Sequence, residues 1–229
     1  MNSIDQQKLG PQLDTELEDV VSAWLRNFED ALSSCNKAAI ASLFEEEGNW
    51  RDVLAFTWHL TPKVGAIAIA EALVARQPAV KAQAFGISPH RTRPRLVNRL
   101  GRECIETIIC FETKIGRGEG ALRLTAETTG QYKAWVLSTN LEELKGFEEQ
   151  IGERRPSGAA YSRNFGGDNW EDVRRKAALY EDHDPTVLVV GGAQAGLAIS
   201  ARLNQLGIDT LMIEKWPRIG DSWRKRYHS

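Results

Sequence analysis

"ECIETIICFETKIGRGEGALRLTAET", Glu103–Thr128, decides how the first half of the chain folds. Its two flanks, Glu103–Ile115 and Gly120–Thr128, are rich in the Ile, Thr, Phe and Leu that suit paired strands, and the "GRGEG" between them reads as a glycine-rich hairpin connection. Further strands follow on either side, at "RPRLVNR" around Leu96 and at "QYKAWVLSTNLEEL", Gln131–Leu144.

Upstream the period changes. Leu17, Val20, Val21, Trp24, Leu25, Phe28, Ala31 and Leu32 recur at three-and-four spacing, which places them on one face of an amphipathic helix. "NKAAIASLF" (Asn36–Phe44) and "AIAIAEALVARQ" (Ala66–Gln77) predict two more helices, and between them "EEEGNWRDVLAFTWHLTPKVG" is an extended, aromatic-rich run. Three helices followed by sequential antiparallel strands make an α+β domain over about 14–151, with helices on one face of a curved sheet and a cone-shaped pocket on its concave side.

Composition narrows the partners. The 229 residues carry 29 Lys plus Arg against 31 Asp plus Glu, a net charge of -2, which gives no global attraction to nucleic acid or to an anionic membrane. No run approaches the eighteen or so apolar residues of a membrane span, and the polar, acidic N-terminus is unlike a signal peptide, so a cytoplasmic protein is expected. Cys35, Cys104 and Cys110 include no CxxC pair, and His59, His90, His183 and His228 are scattered, so reduced thiols are expected and neither a disulfide framework nor a zinc site.

Asp52 and His59 are the nearby acid and imidazole that could move a proton. Their odd separation on one extended run puts them on opposite faces unless the chain bends, and a structural role is the better expectation. Trp50, Phe56 and Trp58 read as core or interface aromatics. In "HRTRPRLVNRLGR", His90–Arg102, the residues Arg91, Arg93 and Arg95 are expected on one face of an edge strand marked by Pro94; no aromatics interleave to stack bases, so a solvated edge is favoured over a nucleic-acid patch.

From 152 to 184 the composition shifts to a Gly-, Arg- and Ser-rich linker, then to "NWEDVRRKAALYED", a helix with Trp170, Val173, Ala177 and Tyr180 at helical spacing and Asp168 and Glu171 placed as a capping box, expected to pack between the domains. The remainder, 185–229, reads as strand (Thr186–Val190), glycine turn, helix (about Ala195–Gln205), strand (Thr210–Ile213) and loop: a βαβ unit whose continuous "VLVV" suits a sheet buried on both faces. Gly191 stands at the tight turn, Ala193 where a backbone would approach a pyrophosphate, Gly196 where helix and strand pack closely, and Glu214 where the ribose hydroxyls of a dinucleotide would be held. The charge of Glu214 disfavours a 2′-phosphate, leaving FAD or NAD.

The order of helices and strands resembles the NTF2-like, or SnoaL-like, fold, and "NWRDVLAFTWHL" with "KAWVLSTNLEELKGFEE" is similar to the version that precedes certain flavin-containing monooxygenases. "KWPRIGDSWRKRY" resembles the segment that follows the ribose-binding acid in flavin-containing and Baeyer–Villiger monooxygenases, which implies FAD. The architecture implied is an NTF2-like cone followed by the first βαβ unit of a Rossmann-like FAD-binding domain. By this resemblance Gly191, Gly192, Ala193, Gln194, Ala195, Gly196, Glu214, Lys215, Gly220, Ser222 and Trp223 are the cofactor-binding residues. The activity implied is an FAD-dependent, NADPH-using insertion of oxygen into a small organic substrate, with NADPH held by a second glycine-rich fingerprint outside these 229 residues, which are therefore expected not to complete the reaction alone. The alternatives are an NTF2-like ligand-binding, cyclase or isomerase domain, and a module that pairs two copies into a homodimer.

Overall fold

The structure is a computed structural model that describes residues 11–155 and 167–227. It divides into two compact units, 1–146 and 147–229. The first ends five residues before the boundary expected from the sequence, and most of the Gly- and Ser-rich part of the expected linker lies outside the described residues.

In the first unit α1 (Pro11–Ser33) begins earlier than its apolar pattern, and its stripe of Leu17, Val21, Trp24, Leu25, Phe28 and Leu32 is buried. Asn36 accepts from the Ala39 amide and caps α2 (Lys37–Ser42). Phe44, expected inside that helix, opens β1 (Phe44–Val53). β2 (Leu60–Val64) returns antiparallel to β1. α3 (Ala66–Val80) continues past Gln77 through Pro78 and ends at Lys81 in the left-handed region.

The strands are β3 (Gln83–Ile87), β4 (Arg95–Arg99), β5 (Arg102–Glu112), β6 (Gly116–Ala126) and β7 (Tyr132–Leu144). They form one sheet in the order β2-β1-β7-β6-β5-β3, with β4 also on β5. The expected antiparallel sheet is thus mixed: β1 runs parallel to β7, with Trp50 opposite Leu137 and Asp52 opposite Thr139. β3 carries little sequence signal, being five residues with no clear alternation; the Glu29 carboxylate anchors it by accepting from the Ala84 and Phe85 amides.

"GRGEG" is not the hairpin turn. Gly116, Gly118 and Gly120 lie in β6 and face the core at every second position, and the chain reverses earlier, where Thr113 donates from its amide to the Gly116 carbonyl. The physical reason is crowding: a Cβ on Gly118 would lie 2.3 Å from Phe111 Cζ, and one on Gly120 would lie 1.8 Å from the Ser138 carbonyl oxygen.

The space beneath the sheet is filled rather than hollow at its centre. Trp24, Phe28, Phe85, Phe111, Phe56 and Trp50 form a continuous series of ring contacts, with centroids 5.0–6.3 Å apart, among Ile69, Leu73, Ile105, Ile109 and Leu122. Burial of this set, at roughly 1.5–3 kcal/mol for each large side chain, is the main term holding helices to sheet.

In the second unit α4 (Trp170–Leu179) has Asn169, not Asp168, as its N-cap, with its side chain accepting from the Asp172 amide; Asp168 pairs with Lys176 instead. Val173 and Leu179 of this helix are exposed. β8 (Val187–Val190), α5 (Gln194–Gln205) and β9 (Thr210–Ile213) form a parallel βαβ unit in register from Val187 opposite Thr210 to Val190 opposite Ile213. β8 is not buried on both faces as "VLVV" suggested, for Leu188 is 53% and Val190 77% exposed. The loop expected after β9 contains a further short helix, α6 (Asp221–Arg226). Among the described residues no helix is long and apolar enough to cross a membrane.

Candidate functional site

The proton-transfer pair of the sequence reading does not form. Leu54 and Trp58 take positive φ, so the run carrying Asp52 and His59 breaks into a loop. Asp52 is fully buried and closes that loop: its Oδ1 and Oδ2 accept from the Phe56 amide, and Oδ2 also from the Thr57 amide and hydroxyl at 2.9 and 2.8 Å. Thr139 donates to Oδ1 at 2.8 Å while accepting from Trp50 Nε1 at 3.0 Å. A carboxylate with this many donors is a structural anchor. His59 and Trp58 are exposed, whereas Trp50 and Phe56 are core residues.

The basic run is likewise placed differently from expectation. Of the three expected on one strand face, Arg91 and Arg93 precede the strand and Arg95 opens it. Each arginine meets a carboxylate: Arg91 with Glu119, Arg93 with Glu18, Arg95 and Arg99 with Glu106, Arg102 with Glu45.

The candidate site lies at the mouth of the βαβ unit. Gly191 has φ +105°, a conformation that favours glycine, and its amide donates to the Ile213 carbonyl at 2.8 Å, closing the turn across the two strands. A Cβ on Gly196 would lie 1.8 Å from the Gly191 carbonyl oxygen, so only glycine lets α5 pack this tightly on β8. Ala193 sits at the N-cap of α5 with φ -84° and ψ -167°, an ordinary extended conformation that its methyl group does not strain. No side chain caps α5, which leaves the positive end of its dipole directed by backbone amides alone.

Glu214 joins the turn to the loop beyond β9. Its Oε2 accepts from the Gly192 amide at 2.6 Å and its Oε1 from the Trp216 amide at 3.1 Å. These two amides, Gly192 first, hold the carboxyl below the usual carboxylate range. Beside it opens a cavity of about 600 Å³ lined by Gly191, Ala193, Glu214, Lys215, Ser222 and five residues outside the expected cofactor set, Val190, Ile213, Trp216, Lys225 and Arg226. Lys225 Nζ stands 3.3 Å from the centre of the Trp216 ring.

Of the residues expected to hold a cofactor, Gly191, Ala193, Glu214, Lys215 and Ser222 line this cavity. Gly192, Gln194, Ala195 and Gly196 shape its turn and helix start, and Gly220 is the left-handed residue before α6. Trp223 is not among the lining residues and is partly exposed. Lys225 and Arg226 belong to "RKRY", whose basic character was visible, but only a helix at 221–226 turns them to the cavity.

The fit to the ADP half of a dinucleotide is good in kind. The volume falls within the usual range for ligand pockets, three basic residues line it with one carboxylate, and an uncapped helix start adjoins them.

No protein-family model matches the sequence, and no curated protein matches it. Solved structures do resemble part of it. A ketosteroid isomerase-like protein from Erwinia carotovora atroseptica is similar at TM-score 0.40 and 13% identity, covering 56% of this chain and 98% of its own. A nuclear transport factor 2 (NTF2-like) superfamily protein from Salmonella enterica serovar Typhimurium is similar at TM-score 0.40 and 8% identity, covering 56% of this chain and 93% of its own. A protein with a cystatin-like fold from Caulobacter vibrioides is similar at TM-score 0.41 and 11% identity, covering 56% of this chain and 91% of its own. Likenesses of this strength assign neither family nor activity.

Proposed function

We propose that the second unit binds the ADP portion of a dinucleotide, with FAD preferred to NAD, and that the chain serves a flavin-dependent oxygenation of a small organic substrate. The observation that carries the binding is the joint geometry of Gly191 at φ +105°, Gly196 against the Gly191 carbonyl and Glu214 on the Gly192 amide, with Gly191 and Glu214 lining one cavity beside Lys215, Lys225 and Arg226. Bound there, FAD would supply the redox chemistry. Gly191, Ala193 and the start of α5 would receive its diphosphate, Lys215, Lys225 and Arg226 would balance the charge, and Glu214 would accept from ribose hydroxyls. Preference for FAD and the monooxygenase reaction rest on the resemblance of "KWPRIGDSWRKRY"; the likenesses to solved structures do not speak to them.

A second reading is that the first unit acts alone as a ligand-binding or pairing module beside a nucleotide motif that holds nothing. The exposure of Leu188 and Val190 favours it, because the face of β8 that carries them is not covered. The filled aromatic interior and the engaged Asp52 carboxylate argue against a proton-transferring cyclase or isomerase version of it.

Calorimetric titration with ADP and FAD distinguishes the two. Saturable one-to-one binding that weakens about tenfold in Lys225→Gln supports the dinucleotide reading. No heat from either ligand at millimolar concentration overturns it.

A further inference from the structure

The first unit carries a second charged cavity, distinct in residues from the nucleotide motif. Arg95, Glu106 and Arg123 stand directly opposite one another on β4, β5 and β6, forming a cross-strand row. Arg99 reaches back along β4 to clamp the same carboxylate with two bonds, at 2.9 and 2.6 Å. Arg123 Nε donates to Glu106 Oε2 at 2.9 Å, and Arg95 touches Oε1 at 3.3 Å. These side chains, with Thr92, Arg93, Thr107 and Ala121, surround a cavity of about 290 Å³.

Charge does not balance there. Three guanidinium groups face the single carboxylate of Glu106, while the neighbouring arginines are matched one for one, Arg93 by Glu18, Arg91 by Glu119 and Arg102 by Glu45. Glu106 holds Arg99 and Arg123 in fixed positions, yet each guanidinium has five N–H donors and uses only one or two on that carboxylate. The result is a doubly positive cleft with donors to spare and two threonine residues in its wall.

We propose that this cleft binds a small dianion, a phosphate group or a dicarboxylate, through Arg95, Arg99 and Arg123. Guanidinium donors arranged around one point recognise the fork of a carboxylate or the edge of a phosphate, and Glu106 sets the positions of Arg99 and Arg123 before the ligand arrives. This site accounts for Arg95 and Arg99 of the basic run without nucleic acid, the remaining arginines of the run being paired with carboxylates elsewhere. It is independent of dinucleotide binding in the second unit.

The test is calorimetric titration of the 229-residue protein with inorganic phosphate and, separately, with succinate, at constant ionic strength set by chloride. Saturable one-to-one binding of at least one anion is expected, and whichever binds more tightly identifies the ligand geometry. Arg123→Gln removes a clamp on Glu106 and risks the fold; Arg95→Gln, at a side chain 55% exposed with a single 3.3 Å contact, does not. Each is expected to weaken binding about tenfold, whereas Lys63→Gln, at an exposed position of β2 that lines neither cavity, leaves it unchanged. Absence of saturable binding by both anions, unchanged affinity in Arg95→Gln, or loss of binding in Lys63→Gln overturns the proposal.

Discussion

Glu214 accepts from the Gly192 amide at 2.6 Å, so the acid that ends β9 fastens the glycine turn that follows β8. Each of its oxygens keeps a lone pair for a ribose hydroxyl. Replacing it with Gln keeps the size but loses one acceptor and the charge, and ADP affinity is expected to fall about tenfold in calorimetry. The carboxyl lies below its usual range in the folded chain, so the clasp is complete above the unfolded value, about pH 4.3, and is lost only as pH falls through the lower folded value. ADP binding should therefore show no loss assignable to Glu214 between pH 7 and about pH 5. A one-proton loss of affinity in that interval that disappears in Glu214→Gln would contradict this.

Glycines in β6 face the core because nothing larger fits. Gly120→Ala would set a methyl carbon 1.8 Å from the Ser138 carbonyl oxygen, forcing β6 and β7 apart, and is expected to destabilise the first unit by about 3 kcal/mol or more. Gly86→Ala is the control, since its added carbon meets only Cys110 Sγ at 3.8 Å, and should change stability by less than about 1 kcal/mol. Urea unfolding followed by circular dichroism separates these outcomes.

The same glycines show what sequence can and cannot convey. A run such as Leu17 to Leu32 announces its helix because burial imposes a period on the residues themselves, and Gly191, Gly196 and Glu214 announce their turn because backbone geometry restricts residue type. "GRGEG" was ambiguous, because glycine marks both a turn and a close approach between strands, and only the partners Phe111 and Ser138 decide between them. The parallel pairing of β1 with β7 was invisible for a related reason: it joins residues 87 apart, such as Asp52 and Thr139, and leaves no local pattern. Lys225 and Arg226 could be seen as basic, but their place in the cavity depends on the turn at Gly220 that starts α6.

Acid should reach the first unit through Glu106. Arg99 foremost, then Arg123 and Arg95, hold its carboxyl down to about 2, against the cost of burial. A depressed folded value contributes stability that is present above the unfolded value, near pH 4.3, and is lost as pH falls toward 2. Wild-type stability measured by urea midpoint is expected to drop across that window, and Glu106→Gln, already deprived of the pairing, should show a smaller drop. Parallel curves for the two proteins would remove Glu106 as the cause.

Asp52 offers the clearest separation of structure from catalysis. Its carboxylate takes donors from Phe56, Thr57 and Thr139 and is fully buried, so Asp52→Asn would turn an amide N–H toward groups that themselves donate. The expected cost is about 3 kcal/mol, with about 1–2 kcal/mol for Thr139→Val, which breaks the link from Trp50 Nε1 to the same carboxylate. His59 is exposed and shares no side-chain bond with Asp52, so His59→Ala should alter stability by less than about 0.5 kcal/mol. If the two worked as an acid and base pair, the two single variants and the double variant would lose the same activity; as an anchor and a surface residue, their effects on the urea midpoint add and His59 contributes almost nothing.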